Sequence, residues 1–159
     1  MSDSRVSIRI NGGSWQGDVA SDERLLDTLR ERCGLTGAHQ GCDTAQCGAC
    51  TVIIEGRAIK SCNRLTLQSQ ACEVLTIEGL SGLHPLQQAF SVHHALQCGY
   101  CTPGFIMRAL ALVDEEVAAE PAAVRRALTG NLCRCTGYEG IVQAICETLP
   151  KLRQAKGHG

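Results

Sequence analysis

The sequence predicts an α+β protein: a small unit of strands with one helix over residues 1–78, a linker at 79–82, and an all-α unit of four helices over 83–153. Residues 154–159 are expected as a flexible tail. Three observations predict this. Up to Ile77, short runs alternate apolar and polar residues between glycine-containing turns, which is the period of strands. From Leu83 onward strand signals stop and apolar residues recur at helical spacing. The chain also holds 11 cysteines, and most fall into one four-membered group in each half.

In chain order, Val6, Ile8 and Ile10 alternate inside a strand, Asn11-Gly12-Gly13 is a hairpin signal, and Trp15 to Val19 pairs back. Ser21-Asp22 offers a cap for a helix expected to carry Leu25, Leu26, Leu29 and Cys33 and to end at Gly34. Thr51 to Ile54 reads as a buried strand, Glu55-Gly56 as a turn, Arg57 to Ser61 as the return strand and Val74 to Ile77 as the last one, with a short helix or turn at Leu65 to Leu67. In the second half, Leu83, Leu86, Phe90 and His93 mark one helix face, entered at His84-Pro85. Thr102 is expected to cap a second helix with Pro103 at its first position and an apolar stripe from Phe105 to Val117. Pro121 opens a third helix that stops by Gly130. Gly137 precedes a fourth, with Ile141, Val142, Ile145, Leu149 and Leu152 inward.

The first cysteine group is Cys42, Cys47 and Cys50 in C-x4-C-x2-C spacing, followed by Cys62 after eleven intervening residues. This is the plant-type ligand run of a [2Fe–2S] cluster. Three thiolates must converge on a small inorganic core, so the backbone has to curl. Gly41 and Gly48 permit close approach and positive φ, Ala49 adds no bulk, and loop N–H groups can point at the sulfurs. Zinc is the rival, but structural zinc sites favour two C-x2–4-C pairs. The second group pairs Cys98-x-x-Cys101 with Cys133-x-Cys135. On residues alone it is a second four-thiolate site, for a cluster or for zinc, placed at helix N-termini whose partial positive charge suits anionic sulfur. Each group is complete without histidine, which sets aside a Rieske centre. Cys33, Cys72 and Cys146 are left as buried small hydrophobes or free thiols.

Composition limits the function. Net charge is −1, with no basic block for nucleic acid and no acidic tail. No apolar run approaches the roughly 20 residues needed to span a bilayer, and Met1 to Arg5 has no signal core. An odd cysteine count without a secretion signal argues against a disulfide framework and for a reducing, cytoplasmic setting. Only five aromatic residues are present (Trp15, Phe90, Tyr100, Phe105, Tyr138), which fits two small units each stapled by a metal centre. No nucleophile, acid–base pair or phosphate loop appears, so no catalytic residue is expected in this chain.

Five stretches carry a resemblance: Leu35 to His39, Gly41 to Val52, Lys60 to Cys62, Leu96 to Gly104 and Gly130 to Tyr138. They resemble the small iron–sulfur subunit of the molybdenum hydroxylases, the family of xanthine dehydrogenase and aerobic carbon monoxide dehydrogenase. The resemblance implies a β-grasp ferredoxin-like domain followed by a four-helix domain holding a second [2Fe–2S] cluster. It implies a large molybdopterin-binding subunit, an FAD-binding medium subunit and a dimer of heterotrimers. By the same carry-over Gln97 and Cys135 approach the molybdopterin, Cys135 being iron ligand and contact at once. Electrons leave the large subunit through this chain toward FAD or another acceptor, and the substrate is chosen elsewhere. Phe105 stands where methionine is frequent, the Leu80–Leu86 linker is short, and Asp114 to Ala119 departs from the usual turn. The rival readings are a stand-alone two-cluster ferredoxin and a zinc-stabilised interaction module. His39 is taken as a polar loop residue, Tyr100 and Tyr138 as packing residues, and Arg134 as offsetting charge or facing a partner.

Overall fold

The computed structural model describes residues 4–157; the expectations for Met1 to Asp3 and for the last two residues lie outside them. β1 (Ser4–Ile10) and β2 (Gly13–Val19) form an antiparallel hairpin, closed by Asn11 and Gly12 at φ 52° and 80°. A two-residue type I′ turn requires both central residues to be left-handed, and Asn-Gly supplies that at least strain. β3 (Thr51–Ile54) and β4 (Arg57–Lys60) repeat the device at Glu55-Gly56. β5 (Glu73–Leu75) slots between the hairpins, parallel to β1 and antiparallel to β3, so the sheet order is β2-β1-β5-β3-β4. Beneath it lies α1 (Leu25–Asp27), extended by a wider turn over Thr28–Arg32 in which Cys33 N–H reaches five residues back to the Thr28 carbonyl at 3.1 Å. Leu25, Leu26 and Leu29 are fully buried against Val6, Ile8, Val19, Val52 and Val74.

The second half is a bundle of α2 (Pro85–Val92), α3 (Thr102–Asp114), α4 (Pro121–Ala127) and α5 (Glu139–Lys156). His84 opens α2 as expected: its Nδ1 accepts Leu86 N–H at 3.2 Å, and Gln87 Oε1 accepts His84 N–H at 3.1 Å. Phe90, Phe105, Met107, Leu112, Ile141, Ile145 and Leu149 fill the core.

Several boundaries differ from expectation, each for a local reason. Ser61 leaves β4 because its Oγ bonds the Cys50 carbonyl at 2.8 Å and a tight turn, Ser61–Asn63, begins there. The last strand runs from Glu73 to Leu75 and stops before Thr76, whose backbone and hydroxyl are both claimed by the Asn11 amide. Leu83 precedes α2 and is 74% exposed, so it is not on the inward face. Thr102 is the first helical residue of α3, not its cap; Cys101 holds the cap position. α3 ends at Asp114, before Val117, where Arg153 bonds the carbonyls of Leu112, Val113 and Val117. These bonds and a Lys156–Asp114 ion pair carry α5 to Lys156, three residues into the stretch expected as tail.

β3 is buried at all four residues because both faces are covered. Val52 and Ile54 belong to the sheet–α1 core, while Ile53 points the other way into the helical core. The halves also touch backbone to backbone. A Cβ on Gly104, near the start of α3, would collide with the Gly48 carbonyl and lie 3.0 Å from Ala49 Cα. Buried Asn131 seals this contact: its Nδ2 donates to the carbonyls of Gly48 and Gly104, each at 3.2 Å. The Leu132 N–H donates to the Cys47 carbonyl at 2.8 Å, and Lys60 Nζ reaches the Gly130 carbonyl.

Two expectations test this junction. Gly104→Ala forces two backbones apart and should destabilise the protein by about 2 kcal/mol or more, read as a drop in apparent melting temperature, whereas Gly157→Ala in an ordinary helical conformation should not. Asn131→Ala removes a buried donor shared by the Gly48 and Gly104 carbonyls, while Thr51 still donates to Gly48, and should cost about 1–2 kcal/mol in denaturant unfolding.

Candidate metal centres

The first cysteine group lies on the loop between α1 and β3 and on the turn after β4. Cys50 and Cys62 are buried, Cys42 and Cys47 half-buried. Gly48 sits at φ 73° with no room for a side chain. Gly41 is needed for space alone, since a Cβ there would come within 3.1 Å of Cys47 Sγ. The loop turns its amides inward as expected. The N–H of Cys47 donates to Cys42 Sγ at 3.4 Å. That bond first, and one from the Thr44 N–H next, hold the Cys42 thiol down at about 6. Burial first, and then the neighbouring Cys50 sulfur, push Cys62 up to about 11. An anion-stabilising arc of N–H groups therefore faces one side of this site, and a dry wall backs the other.

The second group joins the turn before α3 to the loop before α5. Cys98 and Cys135 are exposed and their sulfurs lie 3.5 Å apart. Cys101 and Cys133 are half-buried and bonded to each other through sulfur hydrogen bonding. Burial first, then that bond, push Cys101 up to about 12. Burial also acts to raise Cys133, but hydrogen bonds from Thr136 and Cys135 outweigh it and leave this thiol below its ordinary value. All four cysteines line a cavity of about 490 Å³, with Cys47, Gly41 and Ala49 of the first group on its far wall.

The donor sets fit a binuclear cluster. The Cys98 and Cys135 sulfurs approach to 3.5 Å, and sulfur hydrogen bonding links Cys42 with Cys47, Cys50 with Cys62 and Cys101 with Cys133. A [2Fe–2S] centre held by four cysteines takes two thiolates at each iron. One buried side-chain oxygen among the described residues has no partner, Thr102 Oγ1, directly after Cys101. A buried hydroxyl without a partner beside a sulfur site is the polar orphan that a sulfide-rich group can satisfy.

The remaining residues singled out from sequence divide clearly. Gln97 and Arg134 are exposed, and each is the sequence neighbour of an exposed cysteine, Cys98 and Cys135. Cys33 and Cys72 pack against the sheet core and Cys146 against the helical core, and burial raises Cys33 and Cys146. His39 is more than a loop residue: its ring stacks on Tyr100 at 4.4 Å, and its Nδ1 lies 2.8 Å from the Tyr100 carbonyl oxygen. Tyr100 Oη donates to the Gln40 carbonyl at 2.9 Å, so this pair bridges the two cysteine loops. Tyr138 packs edge-on to Phe105, and its phenol oxygen accepts Cys133 N–H at 2.8 Å. Asn131, Lys60 and Thr136 were not singled out from sequence. Their closeness to Cys62 and to the Cys133–Cys135 pair was the signal available.

Comparisons with known proteins agree with this geometry. Residues 8–80 match the family described as 2Fe-2S iron-sulfur cluster binding domain, and residues 76–146 the one described as [2Fe-2S] binding domain. The chain is 42% identical over 154 residues to the nicotine 6-hydroxylase small subunit of Paenarthrobacter nicotinovorans, covering 96% of this chain and 93% of that one. It is 40% identical over 147 residues to the xanthine dehydrogenase iron-sulfur-binding subunit of Escherichia coli O157:H7, covering 89% and 92%. A chain of quinoline 2-oxidoreductase from Pseudomonas putida 86 superposes with a TM-score of 0.88 at 41% identity, over 95% of this chain and 98% of that one. The paired thiols, the two domains and these relatives lead to one conclusion: the chain belongs to the small [2Fe–2S] subunits of the molybdenum hydroxylase family.

Proposed function

We propose that this chain carries electrons one at a time from the molybdopterin site of a large partner subunit to FAD on a medium subunit or to another acceptor. In this reading Cys42, Cys47, Cys50 and Cys62 hold the first [2Fe–2S] cluster, and Cys98, Cys101, Cys133 and Cys135 hold the second. The division into residues 1–78, a linker at 79–82 and a helical unit from 83 onward belongs to the same reading, with α5 carrying that unit to Lys156. When bound, the clusters supply one-electron redox chemistry; the chain's own residues hold them, exclude water and fix their separation. The observation that carries the proposal is the link between the sites: the Cys47 carbonyl accepts Leu132 N–H at 2.8 Å, and Leu132 is bonded to Cys133. A first-site ligand and a second-site ligand are thereby joined by one hydrogen bond and a few covalent bonds.

Exposure supports a direction of flow. Gln97, Cys98 and Cys135 face outward, which suits contact between Gln97, Cys135 and the pterin of the large subunit. Leu96, Tyr100 and Leu132 are 43%, 47% and 55% exposed on the segments that carry these cysteines. An apolar rim of this kind favours a face covered in a complex over a free carrier. At the other site Asp43, Thr44 and Gln46 are exposed, an exit toward the medium subunit. We place the complex in the cytoplasm as a dimer of heterotrimers; no described helix is long and apolar enough to cross a membrane. Relatives named for nicotine, xanthine and quinoline differ in substrate, in keeping with a substrate chosen by the large subunit.

Protein purified without oxygen should contain about four irons and four acid-labile sulfides per chain and no stoichiometric zinc; two zincs without sulfide would exclude electron transfer. Cys101→Ser should remove the second of two electron paramagnetic resonance signals and block electron exit from the molybdenum site while the first signal persists. Retention of both signals in that variant would refute the ligand assignment.

A further inference from the structure

Thr136 follows Cys135 directly, and its hydroxyl donates to Cys133 Sγ at 3.1 Å. The N–H groups of Thr136 and Cys135 reach the same sulfur, each at 3.4 Å. A threonine hydroxyl rotates, so distance alone leaves its proton free to point elsewhere. Here the rotation is restrained. Tyr138 N–H donates to Thr136 Oγ1 at 3.2 Å, which occupies one of its lone pairs and leaves the hydroxyl proton for the sulfur. Tyr138 is itself pinned, with φ at 70° and its phenol oxygen accepting Cys133 N–H at 2.8 Å. The bonds close a ring: Cys133 N–H to Tyr138 Oη, Tyr138 N–H to Thr136 Oγ1, Thr136 O–H to Cys133 Sγ. Thr136 is half-buried, so water competes weakly for the hydroxyl.

We propose that Thr136 tunes the second site: its hydroxyl, aimed by Tyr138, raises the reduction potential of the [2Fe–2S] cluster held by Cys98, Cys101, Cys133 and Cys135. The inference rests on the ligand reading above. Reduction adds one electron and no proton, and part of the added negative charge falls on the thiolate sulfurs. A donor at Cys133 Sγ therefore stabilises the reduced form more than the oxidised one. Thr136 passes no electron and touches no substrate; it makes the second site a better acceptor.

The test is a redox titration of the complex, read by electron paramagnetic resonance, in the wild type, Thr136→Val and Thr136→Ser. At the wild-type midpoint the reduced-to-oxidised ratio of the second cluster should fall about tenfold in the valine variant, about 59 mV for a one-electron couple. The serine variant should restore it, and the first cluster should stay at its wild-type potential. If valine prevents assembly of the second cluster, Thr136→Ala replaces it under the same criteria. An unchanged second potential, or an equal shift of both clusters, overturns the proposal. Absence of a second cluster signal in the wild type would instead overturn the ligand reading.

Discussion

The contact on which the rest of the molecule depends is the meeting of two backbones at Gly48 and Gly104, sealed by Asn131. Gly48 lies between two cysteines of the first group, and Gly104 lies three residues beyond Cys101. Because neither has a side chain, the first loop can rest directly on the start of α3. Buried main-chain carbonyls need donors; Thr51 donates to Gly48, and the Asn131 amide adds a donor shared by the Gly48 and Gly104 carbonyls. The residue after it, Leu132, then fastens the Cys47 carbonyl. The spacing of the two cysteine groups is thus set by main-chain atoms and one buried amide, not by flexible side chains at a domain surface.

The sheet and the bundle act as two supports for this contact. β3 leaves the first loop and is buried on both faces, so it belongs to the sheet core and to the helical core together. The His39–Tyr100 stack adds a second strap nearer the surface. Burial is graded across the sites in a consistent order. Cys50 and Cys62 lie deepest, Cys101 and Cys133 are intermediate, and Cys98 and Cys135 are exposed. That gradient gives the chain an open edge at the second group.

Much of this was legible in the sequence. The hairpin at Asn11-Gly12, the α1 face of Leu25, Leu26 and Leu29, and the entry of α2 at His84-Pro85 each rest on interactions a few residues apart, which local pattern encodes. The cysteine groups were legible because thiolate spacing is constrained by cluster size. What could not be read depends on contacts distant in sequence. Thr51 to Ile54 reads as buried, but nothing local says that its two faces enter different cores. Thr102 has the form of a cap, yet Cys101 continues the helical backbone and takes that place. Asn131 is one polar residue among many until the fold brings residues 48 and 104 to it, and Thr136 reaches the Cys133 sulfur within a turn in which Tyr138 is left-handed.

The wall of peptide groups between the two sites has a consequence for divergence. Tunnelling falls steeply with distance, so a gap lined by side chains would widen or narrow whenever those residues drifted. Peptide groups are common to every protein, and as long as two glycines and one asparagine persist, the gap is indifferent to most substitutions around it. The outer surface can then accept new partners, and the neighbours of the sulfurs can change, while main-chain atoms keep the two cysteine groups at one separation.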